Sequence, residues 1–143
     1  MQQITNNILM IRPANFNYND QTASNNYYQK KGLALESVNE NAQKEFDLLV
    51  EKLKSNGINV LVFDDDLKYE TPSAIFPNNW ISFHSNGDVA IYPMFAINRR
   101  LERREDVFSF VENKGFNIKN VVDYTSAEDK NLFLEGTGSM VLD

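Results

Sequence analysis

The chain has 143 residues, with 14 Lys and Arg against 20 Asp and Glu for a formal charge of −6; 42% are hydrophobic, 12% aromatic, and none is cysteine. That is one globular domain with enough apolar residues for a core, and an isoelectric point near 4.8 with no basic tail argues against a nucleic-acid or anionic-membrane surface, because both need clustered Lys and Arg. Without cysteine these residues supply no disulfide, cysteine-ligated zinc, iron–sulfur cluster or thiol nucleophile, and one histidine leaves few familiar catalytic or metal sets within reach.

Met1 to Asn7 carries no basic stretch, and the apolar run Ile8–Ile11 after it is only four residues long. Neither a signal peptide nor a membrane span is expected, and the default setting is the cytoplasm. Ile8-Leu9-Met10-Ile11 followed by Arg12-Pro13 reads as a buried strand closed by a proline that cannot continue a ladder. From Ala14 to about Leu35 no period is sustained; a loop of that length is usually functional, and its aromatics Phe16, Tyr18, Tyr27 and Tyr28 predict that it packs on something, such as a pocket it covers as a lid. Ser37-x-x-Glu40 has the form of a capping box at a helix start. Ala42, Phe46, Leu49, Val50 and Leu53 then form one apolar stripe, Asn56-Gly57 supplies the stop, and Ile58–Phe63 is a strand.

After Thr71-Pro72-Ser73, Phe76-Pro77-Asn78-Asn79 leads into a strand at Trp80–His84, which turns at Asn86-Gly87 and returns as Val89–Tyr92. A charged helix is predicted over roughly Arg99 to Asn113, with Asn98 as its cap, Gly115 as its stop and a strand at Ile118–Val122 beyond it. Helix, glycine stop, short link and strand thus occur twice, in "EKLKSNGINVLVFD" and "FVENKGFNIKNVVDY", about 60 residues apart, which predicts tandem ββαβ units. Leu132–Gly136 and Ser139–Leu142 read as the first two strands of a third unit around a Gly-Thr-Gly turn, so residues 1–143 are expected to form a single incomplete domain.

Four segments in order, "MIRPANFNYN", "FPNNWISFH", "YPMFAINRRLERR" and "LEGTGSMVLD", resemble the amidinotransferase (pentein) superfamily, and within it the citrulline-utilisation hydrolases related to arginine deiminase and dimethylarginine dimethylaminohydrolase. The resemblance implies an α/β fold in which this chain supplies about two and a half ββαβ blades of a five-bladed propeller. It implies attack by a cysteine thiolate on the central carbon of a guanidino or ureido group, with a histidine as acid and base and no cofactor or metal. Both of those residues belong to the family's C-terminal half. What this chain is expected to supply is substrate positioning.

Glu135 matches the family's glutamate in the Glu-Gly-Gly type motif, where a carboxylate accepts two hydrogen bonds from a planar N–C–N group; the alternative is an exposed turn glutamate. Asn79 stands where guanidine-processing relatives carry an aspartate in Phe-x-Arg-Asp. A neutral amide there suits a ureido group such as that of citrulline, and Asn78 and Asn79 are expected to bind the substrate; the alternative is that they form an Asx turn after Pro77. Arg99 and Arg100, with Glu102, match a family segment whose arginine forks the substrate α-carboxylate; a solvated helix face is the alternative. Arg103 and Arg104 are expected on that solvated face, paired with Glu102, Glu105 and Asp106. His84 lies in the wrong motif for the catalytic histidine and reads as structural. The expected partners are a citrulline- or arginine-like amino acid and either a second copy or a complementary C-terminal half, with neither nucleic acid nor a membrane. The competing reading is a non-catalytic module that binds a small amino acid, or that other half, without turnover.

Overall fold

A computed structural model describes residues 5–24, 26, 27, 29 and 35–140, with only the backbone of Leu35 and Glu36. Strand β1 (Asn7–Arg12) runs parallel to β2 (Asn59–Asp64), joined through helix α1 (Leu35–Ser55). Strands β3 (Ile81–Phe83) and β4 (Asp88–Ile91) form an antiparallel hairpin, and β5 (Asn120–Asp123) adds parallel to β4 after two short helices, α2 (Ile97–Arg100) and α3 (Asp106–Asn113). The result is a mixed α/β chain with two small open sheets, ordered β1-β2 and β3-β4-β5. Among the described residues no helix is long and apolar enough to cross a membrane.

The predicted repeat is present in its hydrogen bonds. At the end of α1, Gly57 N–H donates to Lys54 C=O and Ile58 N–H to Leu53 C=O; at the end of α3, Gly115 N–H donates to Glu112 C=O and Phe116 N–H to Val111 C=O. Both are Schellman stops, with the glycine in the left-handed region at φ 82° and 90°. Asn131 (φ 55°) closes the 3-10 stretch Thr125–Lys130 in the same way, with its own N–H on Glu128 C=O and Leu132 N–H on Ala127 C=O.

Alternation along β1 and β2 explains how the units dock. Met10, Val60 and Val62 face α1 and meet Phe46 and Val50, whereas Leu9 and Phe63 pack on the second unit's core of Trp80, Ile81, Val89, Met94, Val107 and Val111. A parallel pair buried on both faces is the usual arrangement for such strands. Arg104 bolts the units together. Its guanidinium lies over the rings of Phe63 and Tyr69, 4.6 Å and 5.0 Å from their centroids, and reaches Asp65 at 3.5 Å and Asp106.

Four sequence expectations are corrected. Helix α1 begins at Leu35, so Ser37 lies inside it and is not the cap. The single helix over Arg99–Asn113 is two, because the chain turns at Leu101–Glu105 to bring Glu102 back onto Arg99 and Arg104 onto Asp65. Arg103 reaches across to Glu128, not to a neighbour on its own helix. The strand at Leu132–Gly136 is not formed either. Leu134 N–H makes one bond to Pro93 C=O, Gly136 N–H folds back on Leu134 C=O, and Gly136–Gly138 is a 3-10 turn. The second unit is therefore a complete ββαβ and the first a βαβ, and beyond β5 the described residues form only the 3-10 turns Thr125–Lys130 and Gly136–Gly138. Tyr28 and the predicted strand end at Val141–Leu142 lie outside the described residues.

Candidate functional site

Two 3-10 turns build the site. Pro77 at the first position, with its fixed φ, starts the turn Pro77–Asn79, and Trp80, 1% exposed, anchors the far end in the core. The second turn, Gly136–Gly138, follows Glu135 as the first follows Phe76, and the two share a similar entry geometry (φ −110°, ψ 64° at Phe76; φ −84°, ψ 61° at Glu135). They lie against each other. Thr137 Oγ1 donates to Asn78 C=O at 3.3 Å, and a Cβ on Gly136 would stand 2.3 Å from that carbonyl oxygen, so only glycine fits there.

This crossing brings Asn79, Arg99 and Glu135 together. Asn79 Nδ2 donates to Glu135 Oε2 at 3.0 Å, Arg99 Nη1 approaches the same oxygen at 3.4 Å, and the Phe95 backbone N–H donates to Oε1 at 3.2 Å. Glu135 is half-buried, so it is not the exposed turn glutamate of the alternative reading. The Asn79 side chain makes no second hydrogen bond among the described residues, which leaves one N–H and the Oδ1 lone pairs to offer a ligand. Asn78 contributes its carbonyl to the turn contact and is exposed.

Arg99 is 5% exposed and its fork is filled. Nε and Nη2 each donate to Glu102 at 2.9 Å, and Nη2 also donates to Phe76 C=O at 3.2 Å. Arg99 therefore holds Glu135 and the Phe76 turn in place. Burial pushes the Glu102 carboxyl up to about 7 against the pull of Arg99, with Asp65 and Glu135 adding like-charge repulsion. Arg100 points elsewhere. Its Nε donates to Met94 C=O at 3.0 Å and lies 3.3 Å from Glu128, and its guanidinium sits over the Phe133 ring. Glu128 is held below the usual carboxylate range: burial opposes its ionisation, but Arg103, the Met94 N–H and Arg100 together outweigh burial.

The long first loop is fastened beside the site. Asn19, 1% exposed, exchanges side-chain hydrogen bonds with Asn98 at 2.9 Å and 3.3 Å and donates to Ser73 Oγ at 3.1 Å. Gln21 Oε1 accepts the Asn98 backbone N–H at 2.9 Å. Asn98 is thus not a cap; α2 starts after Ala96 and has its first turn satisfied by the loop. His84 is exposed, with Nε2 3.0 Å from Ser82 Oγ, which shares a hydrogen bond with Tyr92 OH. It lines a cleft of about 380 Å³ at the hairpin-turn end, with Asp88, Phe116 and Lys119, and no predicted site residue borders that cleft.

Sequence reasoning missed the Phe95 N–H, which no side chain announces, and the Asn19–Asn98 pair, whose members stand 79 residues apart. A family model described as "N,N dimethylarginine dimethylhydrolase, eukaryotic" matches residues 12–143. No curated protein and no solved structure matches the chain.

Proposed function

The chain belongs to the N,N dimethylarginine dimethylhydrolase family, and on that premise we propose that it is the substrate-positioning part of a hydrolase that cleaves a C–N bond at the central carbon of a guanidino or ureido group, with citrulline as its substrate. The observation that carries this reading is the 3.0 Å contact between Asn79 and Glu135. A carboxylate oriented by a backbone N–H and by Arg99 can accept two hydrogens from a planar N–C–N group, and the neutral Asn79 amide beside it meets a ureido C=O and NH2 without an uncompensated charge. A dimethylarginine guanidinium would find no carboxylate at position 79. Of the two arginines expected on the substrate α-carboxylate, Arg100 keeps that assignment, because its Nη groups make no hydrogen bond among the described residues whereas the Arg99 fork is taken by Glu102.

The 143 residues hold no cysteine and their one histidine, His84, lies away from Glu135, so the thiolate and the histidine of the family chemistry are assigned to residues other than these, in a complementary half that would continue a propeller of ββαβ units. The same count favours a second reading, a module that binds citrulline without turning it over. Calorimetric titration with citrulline, arginine, agmatine and dimethylarginine, followed by ammonia and amine release assays, separates the two. Binding of citrulline above the cationic ligands is expected. Asn79→Asp is expected to reverse that preference by about tenfold or more, the effect of a charge-assisted hydrogen bond; an unchanged order of affinities sinks the ureido reading.

A further inference from the structure

We propose that Gly138 is a specificity-determining position whose missing side chain sets where the Asn79 amide lies. A Cβ built on Gly138 would stand 2.6 Å from Asn79 Nδ2 and 3.1 Å from its Cγ. The first is shorter than a carbon tolerates against a nitrogen it does not bond, and the second is a tight contact that Asn79 would have to relieve by a few tenths of an ångström. The constraint differs in kind from the one at Gly136, where the backbone is left-handed and the obstructing atom is the Asn78 carbonyl oxygen. Gly138 is not among the glycines in the left-handed region, so its backbone accepts an L-residue. The three nearest atoms all belong to one side chain, that of Asn79. A side chain can rotate away; a backbone carbonyl locked in a turn cannot.

The consequence is directional. The amide nitrogen that would collide with the new methyl is the atom that donates to Glu135 Oε2. Relief of the clash therefore moves Asn79 off Glu135 and leaves the carboxylate with Phe95 N–H and Arg99 alone. Because 138 and 79 hold equivalent places in the two 3-10 turns, a bulky residue is excluded at one wherever the other carries the ligand-facing amide. Glycine at 138 and asparagine at 79 form a linked pair. Gly138 acts through Asn79 and is a positioning residue.

The geometric part stands on the distances alone; the effect on ligand choice rests on the citrulline reading above. The test is a double-mutant cycle of Gly138→Ala and Asn79→Gly in the intact protein, read by thermal denaturation, together with the side-chain NH2 resonances of Asn79 assigned by their loss in Asn79→Gly. Gly138→Ala is expected to shift those resonances, to lower the melting temperature in the Asn79 background and to be nearly silent in the Asn79→Gly background. Citrulline affinity should fall by about tenfold, as expected when a hydrogen bond to a charged group is lost. Unmoved Asn79 resonances, or an equal loss of stability in both backgrounds, overturns the proposal. If citrulline does not bind the unsubstituted protein, the substrate reading fails, and the resonances and the cycle still decide the role of Gly138.

Discussion

A guanidinium whose Nε and both Nη groups each donate inside the protein is a scaffold, and Arg99 is that. Its charge meets Glu102 through two 2.9 Å bonds and Glu135 through a longer one. Two arginines, Arg99 and Arg104, stand among three acids, Asp65, Glu102 and Glu135. Glu102, the most deeply buried of them as a residue, is pushed up from 4.5 to about 7 by burial. A carboxyl raised in the folded state binds its proton more tightly there than when unfolded. Its contribution to stability is complete below pH 4.5 and is lost as pH rises through about 7. Urea unfolding at pH 5 and pH 8 should show a loss on the order of 3 kcal/mol, and Glu102→Gln should flatten that slope. Asp47, Asp66, Asp88 and Glu128, all held below their ordinary values, act at lower pH, so the two effects occupy separate windows. Asn79 and Glu135 were singled out by the resemblance of their short strings, and the structure brings the two side chains together. The burial of Arg99 was not legible, since "NRRLERR" alternates sign as a solvated face does, and nothing local says which arginine turns inward.

The elements were legible where a stop residue punctuates a period. Gly57 and Gly115 end α1 and α3 with the same pair of hydrogen bonds, and both strands after them form. Where the sequence carries charge instead of periodic apolar residues, between Leu101 and Glu105, the helix breaks and long-range ion pairs decide the path. The expected third-unit strands failed for a related reason. Leu132–Glu135 has strand composition, but its backbone is taken by Pro93 and its carboxylate by Phe95. The first loop had no period to read and is held by side-chain amides. Asn19→Ala leaves the half-buried Asn98 amide and the buried Ser73 without their partner and should lower stability by about 1–3 kcal/mol. Faster hydrogen exchange at the Asn98 and Arg99 amides should accompany it, because the loop closes the first turn of α2. A loop acting as a freely moving lid would leave those amides unchanged.

At the scale of the molecule, two clusters of apolar residues are joined by the β1–β2 pair and by Arg104. No count of charge or residue type could reveal this joint, which depends on which faces of β1 and β2 meet which unit. Arg104→Ala removes a guanidinium stacked on Phe63 and Tyr69 and leaves Asp65, whose side chain is 3% exposed, without its cation. The expected loss is about 3–5 kcal/mol, seen as a lower urea midpoint. Arg104→Lys should recover only part of it, because an ammonium neither stacks nor forks. A loss below about 0.5 kcal/mol, the range of ordinary surface substitutions, would show that the units are joined by apolar packing alone. The site also has an order in time. Arg99 and Glu102 are three residues apart, while Asn79 and Glu135 are 56 apart. As the chain folds, the arginine can find its first carboxylate within one turn, before the 36-residue loop to the second has to close. Short-range pairs close early and long-range ones late, so a cluster that must end with its guanidinium shared between two acids begins with that guanidinium already held by the nearer one.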